Sequence, residues 1–208
     1  LWVSSQEGLW RFDGASFRRF DVDRPLRSGA PRDIGENMAI APDGRIWTVS
    51  GATGLGVFDP ATEHYTEWQE LVGDSLPFPF RLSPGMLVLN NDSILAVAEE
   101  DGLLLFLPAQ HRWEVMATNP LEERLYCRVI VRDRFDLQRV WIGASGRLLS
   151  CHLRTGQLVT SEFQDSIDND EVVHIHAIDQ DEDGTLWLGT WGDGVMHYDP
   201  GTGRAVAY

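Results

Sequence analysis

Short apolar runs separated by tight turns recur along the whole chain at a nearly constant spacing. Four of these runs hold a Trp residue in the same place, at Trp2, Trp47, Trp141 and Trp187. The first interval is 45 residues, the last is 46 and the middle gap is 94, which is two periods. The recurrence predicts five tandem units of about 46 residues, with Leu95 in the Trp position of the third unit.

Each unit carries the signals of four short β-strands. A Gly soon after the Trp position opens a second apolar run, which leads through a turn into a third run. Another apolar run precedes the Trp position, and Asp43-Gly44 and Asp183-Gly184 separate these two runs in their units. Asp-Gly between alternating runs predicts a hairpin with a type I′ turn, in which both central residues have positive φ.

A single four-stranded unit cannot bury both of its faces, so neighbouring units must stack face to face. The chain is therefore predicted to be all-β, a β-propeller of about five blades of four antiparallel strands, with the Trp rings packed between blades. The first blade lacks an innermost strand in this pattern, and the chain is expected to be part of a ring of roughly seven or eight blades. The approximate blade bounds are 1–22, 34–68, 82–116, 125–163 and 172–208.

The charge balance excludes some classes of partner. The formal net charge is −15, and all 17 basic residues are Arg. Such a field repels polyanions, so neither nucleic acid nor an anionic membrane surface is expected as a partner. No run approaches the roughly 18 consecutive apolar residues of a membrane helix, so no direct membrane insertion is expected. Cys127 and Cys151 are compatible with one disulfide or with two buried thiols, and the second interpretation is favoured.

The last unit resembles the two-component regulator propeller repeat. The resemblance rests on residues 181–190 and 192–203, with a second copy at 43–62 and a partial copy at 1–20. It implies the extracytoplasmic sensor propeller of a hybrid two-component or histidine kinase receptor, periplasmic or extracellular, with a carbohydrate as one class of ligand. The same resemblance implies a homodimer formed through the full-length receptor. The family has no fixed catalytic motif, because its repeat residues are structural.

Candidate ligand-binding residues lie on the loops that follow the Trp-containing strands, since binding residues concentrate on loops above a rigid scaffold. Trp191 stands outside the strand pattern, and an exposed Trp can stack on a sugar ring or anchor a partner. Its alternative role is packing between blades. The expected ligand is a small molecule, an oligosaccharide or a protein partner. The predicted ligand-binding residues are Gln6, Glu7, Glu99, Glu100, Trp191 and Asp193.

No metal, cofactor or catalytic residue is predicted. His174 and His176 share a face of a predicted strand, but no third zinc ligand is evident, so a polar channel lining is favoured. Residues 179–184 resemble the first half of a calcium loop, yet the hairpin explains Asp183-Gly184 without metal. Two other functions stay open. One is a streptogramin-lyase-like propeller enzyme, which needs a His/Glu cluster, and the other is a protein-docking scaffold.

Overall fold

The described part of the chain is built from short antiparallel strands. The computed structural model describes residues 1–5, 8–20, 37–50, 54–67, 71, 81–121, 123–161, 163 and 173–208. Within these residues, strands that are neighbours in sequence pair in space, giving one sheet of three strands and four sheets of four strands. The all-β prediction is confirmed, and the first sheet has three strands because it begins at the Trp-containing strand.

The five sheets follow one another along the chain. The first contains β1 (Trp2–Ser5), β2 (Gly8–Phe12) and β3 (Phe17–Phe20). The second contains β4 (Asn37–Ile40), β5 (Ile46–Ser50), β6 (Gly54–Asp59) and β7 (His64–Glu67). The third contains β8 (Leu82–Asn90), β9 (Ser93–Ala98), β10 (Gly102–Leu107) and β11 (Arg112–Thr118), with a 3-10 helix at Pro108–Gln110. The fourth contains β12 (Cys127–Arg132), β13 (Arg139–Ala144), β14 (Arg147–His152) and β15 (Gln157–Ser161). The fifth contains β16 (Ile175–Gln180), β17 (Leu186–Thr190), β18 (Val195–Asp199) and β19 (Arg204–Ala207).

The chain divides into two compact units, and the boundary between them runs through the third sheet. Unit one comprises residues 1–96 and 105–113, and unit two comprises residues 97–104 and 114–208.

In unit one, the Trp residue at the repeat position packs on aromatic rings of its own sheet and of the next sheet. The ring of Trp2 lies 5.1 Å from that of Phe20 and 5.8 Å from that of Phe58. Trp47 repeats the arrangement with Phe106, at 5.9 Å between ring centroids. These contacts bury large aromatic surfaces between sheets, which is the main favourable term in stacking them.

In unit two, Trp141 belongs to a buried cluster that includes Ile175, Leu186 and Tyr198 of the fifth sheet. The fourth and fifth sheets approach closely at Gly143, where an added Cβ would stand 2.7 Å from a methyl group of Ile175. Trp187 departs from the prediction of core burial. Its side chain is 37% exposed, because its ring partners are the rings of His197 and Tyr208 rather than a buried cluster.

The Asp-Gly hairpins use a different turn from the predicted one. The backbone N–H of Gly44 donates to the carbonyl of Ala41 at 2.9 Å, and Gly44 has φ of 88°. Asp43 does not have positive φ, and its carboxylate accepts the backbone N–H of Arg45 at 3.0 Å. This is a type I turn followed by a left-handed Gly, and the Asp183-Gly184 hairpin repeats it. The type I′ prediction is therefore wrong. The Asp43 carboxylate caps the turn while the Asp43 backbone keeps a negative φ, and only Gly44 adopts the left-handed conformation.

The two cysteines are free and buried. Burial raises the pKa of Cys127 to about 12 and that of Cys151 to about 11, so both remain thiols at neutral pH. The interpretation as buried thiols is confirmed.

Candidate functional site

The predicted binding residues of unit two lie on turns between the second and third strands of their sheets. Glu99 and Glu100 follow β9, and Trp191 and Asp193 follow β17. Glu99 is only 5% exposed, whereas Glu100 is exposed and forms an ion pair with Arg124 at 3.0 Å. Asp193 is exposed. Gln6 and Glu7 lie outside the described residues, so their prediction is untested.

Main-chain hydrogen bonds connect these turns into one edge. The N–H of Leu125, just before β12, donates to the carbonyl of Glu99 at 2.7 Å. One sheet further on, the N–H of Gly146 donates to the carbonyl of Val173, just before β16, at 2.7 Å. These hydrogen bonds connect the turn of the third sheet to the fourth sheet, and the turn of the fourth sheet to the fifth. We call this surface the loop edge and define it as residues 99–101, 123–126, 145–146, 173–176 and 191–194.

Trp191 is the most prominent side chain of the loop edge. It is 72% exposed, and its ring stacks on that of His176 with 5.4 Å between centroids and 29° between planes. Its backbone N–H donates to the carbonyl of His174 at 2.9 Å. The indole is therefore presented to solvent while its main chain and one ring face are held in place. The ring is thus not buried between sheets, and its role as a contact residue stays a prediction.

β-Bulges shape the loop edge, and the sequence pattern did not reveal them. The strand register shifts between Ile175 and Ala177, which places His176 in a bulge. The equivalent bulge in β12 falls at Arg128, whose guanidinium lies 4.9 Å from the centroid of the Tyr126 ring. A bulge redirects a side chain. Tyr126 and Arg128 were not predicted as site residues, and the only available signal was their repeat position relative to His174 and His176.

The two histidines of the predicted pair make separate contacts. Nδ1 of His174 lies 2.9 Å from Oγ of Ser145, which joins the fifth sheet to the fourth, while His176 contacts Trp191. In the part of the chain that the structure describes, no group of three or more His, Cys, Asp or Glu side chains could hold a metal ion. The calcium-like segment is a hairpin, in which the carboxylate of Asp183 accepts the backbone N–H of Thr185 at 2.9 Å.

The far ends of the same strands hold a buried carboxylate that the sequence did not identify. Asp133, in the turn between β12 and β13, is 3% exposed. Its Oδ2 accepts Nε1–H of Trp141 at 2.9 Å and Nε2–H of Gln180 at 3.4 Å. Burial alone would raise the pKa of Asp133, but hydrogen bonds from the backbone N–H groups of Asp136 and Phe135, from Trp141 and from Gln180 outweigh it and lower the pKa. Asp133 is therefore a structural anion that links the fourth and fifth sheets.

Comparison with known proteins supports the family of the last repeat. Residues 169–192 match the model of the two component regulator propeller family. No curated protein sequence matches the chain. No helix among the described residues has the length and apolar character needed to cross a membrane.

Several solved structures have a similar fold. Two are extracellular domains from B. thetaiotaomicron that are named for hybrid two component systems. The first is 17% identical with a TM-score of 0.73, and 99% of this chain aligns with 26% of that one. The second is 18% identical with a TM-score of 0.70, and 97% of this chain aligns with 26% of that one. A GH74 xyloglucanase from Xanthomonas campestris is 14% identical with a TM-score of 0.65, over 99% of this chain and 36% of that one. The chain thus spans about a quarter of the length of these two extracellular domains. At these identities the likeness shows the fold, which is that of a β-propeller.

Proposed function

We propose, on the premise that the last repeat is a two component regulator propeller repeat, that the chain is part of the extracytoplasmic ligand-binding propeller of a two-component receptor. The proposed ligand is a carbohydrate, and the proposed contact surface is the loop edge around Trp191. The similar structures that are named as extracellular domains of hybrid two component systems support this assignment.

The exposed and anchored ring of Trp191 is the observation that carries the proposal. An indole face offers apolar area and a polarised π surface, which suit the C–H face of a sugar ring. Stacking on His176 and the backbone bond to His174 hold the ring before a ligand arrives, so little side-chain entropy is lost on binding. The hydroxyl of Ser145, which lies 2.9 Å from Nδ1 of His174, is a further polar group on the loop edge that a sugar hydroxyl could contact.

The loop edge also suggests how binding could be transmitted. Its turns are linked from one sheet to the next by main-chain hydrogen bonds. A ligand that touches two turns would favour the arrangement of sheets in which both contacts are made, and it would shift the receptor toward that arrangement by its difference in affinity.

The test uses the complete receptor propeller and its Trp191→Ala variant. A glycan array identifies a binding oligosaccharide, and calorimetry then compares the two proteins. We expect about a tenfold loss of affinity in the variant, because burial and stacking of the indole face together contribute about 1.4 kcal/mol. Phe17→Ala, which removes another exposed ring far along the chain, is the matched control and should bind as the parent does.

Two results would contradict the proposal. One is an affinity for the oligosaccharide that Trp191→Ala leaves unchanged. The other is an array with no binding glycan together with a protein partner that depends on Trp191, which would favour the docking scaffold.

A further inference from the structure

A second concave surface lies in unit two, at the opposite ends of the strands from the loop edge. It is a cleft of about 390 Å³ between the turn that joins β12 to β13 and the hairpin that joins β16 to β17. We call it the turn cleft. The residues that matter for its chemistry are Asp133, Phe135, Asp136, Arg139, Trp141 and Asp183.

The floor of the turn cleft is already fixed. Asp133 and Gln180 are buried and hydrogen-bonded to each other and to the turn backbone, including the N–H of Arg134, which donates to Oε1 of Gln180 at 2.7 Å. The hydrogen bonds of these two side chains hold the turn and the two sheets together. The cleft is therefore preformed, and a ligand would be recognised by the groups at its rim.

The rim has one carboxylate oxygen without a hydrogen bond among the described residues and a second carboxylate that is only loosely paired with an arginine. Oδ1 of Asp183 accepts the N–H and the hydroxyl of Thr185, at 2.9 and 2.6 Å, but its Oδ2 has no hydrogen bond among the described residues. Oδ1 of Asp136 accepts the N–H of Gln138 at 3.0 Å, and its Oδ2 lies 3.7 Å from the guanidinium of Arg139. Three carboxylates and one guanidinium line the cleft, so its formal charge is negative. The chain's own charge of −15 adds to that potential.

An aromatic ring borders the same acceptors. The side chain of Phe135 is 63% exposed, and one edge of its ring lies against Gly184, next to Asp183. A ring face beside carboxylates attracts cations through its quadrupole. The ring also offers apolar area to the stem that carries the cation.

The protein itself shows which chemistry this combination accepts. The guanidinium of Arg139 lies 5.8 Å from the centroid of the Trp141 ring and 3.8 Å from Oδ2 of Asp133. One guanidinium is therefore already held here by an aromatic ring and a carboxylate. Phe135 and Asp183 provide a second set of the same groups, and this set faces solvent.

We propose that the turn cleft binds a ligand that carries a guanidinium or primary ammonium group on a short apolar stem. The cation pairs with Asp183 and Asp136, and the stem lies on Phe135. The source is either a free small molecule or an Arg or Lys side chain of a peptide. The proposal is independent of the carbohydrate proposal, since it involves the other ends of the strands.

The test measures binding of n-butylguanidinium and of its neutral isostere n-butylurea to the chain by calorimetry at low salt. We expect n-butylguanidinium to bind with a Kd on the order of 1 mM and n-butylurea at least about tenfold more weakly. Asp183→Asn should weaken n-butylguanidinium binding about tenfold and Phe135→Ala about fivefold. Equal affinity for the two compounds would overturn the proposal.

Matched variants separate the site from bulk charge and from misfolding. Asp43→Asn makes the same change in the equivalent hairpin of the second sheet and should leave binding unchanged; a loss equal to that of Asp183→Asn would overturn the proposal. Asn can still accept the Thr185 N–H, and if Asp183→Asn nevertheless fails to fold by circular dichroism, Phe135→Ala decides. Trp191→Ala should bind n-butylguanidinium normally, whatever the glycan result.

Two peptides identify the source of the cation. Acetyl-Ala-Arg-Ala-amide is compared with the same peptide containing citrulline, which is the neutral isostere of Arg. A preference for the Arg peptide over both its citrulline form and n-butylguanidinium indicates a peptide ligand. Preference for the free compound indicates a small molecule. Indifference to charge in both pairs would overturn the proposal.

Discussion

Trp47 and Trp141 occupy the same repeat position but differ in one hydrogen bond, so replacing each with Phe isolates the energy of that bond. Both rings are buried, and each has an Arg guanidinium about 6 Å from its centroid. Nε1–H of Trp141 donates to Asp133, whereas Nε1–H of Trp47 has no partner among the described residues. The reason is that Ala41 occupies the repeat position of Asp133. The N–H of Ala41 donates to the carbonyl of Arg45, and the N–H of Asp133 makes the equivalent bond to the carbonyl of Arg139.

The expected magnitude follows from this difference. Both substitutions remove the same atoms from a buried site, so their cavity terms are similar. Trp141→Phe also removes a hydrogen bond to a buried carboxylate, which costs about 1.5–3 kcal/mol. Trp47→Phe instead removes a buried donor that has no partner in the described part of the chain, which relieves a penalty of about 1 kcal/mol. Trp141→Phe is therefore expected to destabilise the chain by roughly 2.5–4 kcal/mol more than Trp47→Phe.

Urea unfolding followed by circular dichroism gives the two free energies, provided that the m-values stay equal. Hydrogen exchange of the amides in β5 and β13 assigns each loss to its own unit. Asp133→Ala, which removes the acceptor, combined with Trp141→Phe should give a coupling energy of about 1.5–3 kcal/mol. Losses from the two Trp variants that agree within about 0.5 kcal/mol would refute the reasoning.

Two further outcomes follow from the same contacts. Hydrogen bonds lower the folded pKa of Asp133, so its contribution to stability is complete above the unfolded pKa of about 3.8 and is lost as the pH falls through the folded pKa. The free energy of unfolding should therefore decrease as the pH falls below about 4. In Asp133→Asn this decrease should be less steep. Urea titrations across that range measure it. Gly143→Ala should cost about 1–3 kcal/mol, because its new Cβ would meet Ile175 at 2.7 Å. Gly189→Ala, at the equivalent position with Ala177 at 3.2 Å, should cost less in thermal denaturation.

The sequence predicted the sheets because one physical condition recurs in it. A large apolar side chain at a constant interval must be covered each time, and Trp47, Leu95 and Trp141 are all buried. Trp187 shows where that reasoning fails, since the interval gives its place in the sheet but not what covers it. The turn type was mispredicted for a related reason. Dipeptide composition located the hairpin, but it did not reveal that the Asp43 carboxylate accepts the backbone N–H of Arg45 within the turn, an interaction that accompanies the type I geometry.

The site was only partly predictable. The exposure of Trp191 could be anticipated, because it interrupts the apolar pattern. The bulges at Arg128 and His176 could not be, since a one-residue shift of register leaves the composition of a strand unchanged. Asp133 was missed because one carboxylate in a chain with 32 acidic residues gives no sign of burial. Comparing Ala41 with Asp133 at one repeat position is the signal that could have found it.

The two edges of unit two use their turn residues differently, and this difference bears on where specificity can change. Ser145 and Trp191 occupy the same place, and each donates its backbone N–H to the carbonyl of the residue before an innermost strand. The fold uses the main chain there, so a hydroxyl and an indole are both compatible with it. At the other edge the fold uses the side chain of Asp133 itself, and removing it leaves the buried Nε1–H of Trp141 without its acceptor. Substitutions on the loop edge can therefore change its exposed side chains at little cost in stability, whereas on the turn cleft Asp133 is fixed by the fold, Asp183 also caps its hairpin, and the exposed ring of Phe135 has more freedom.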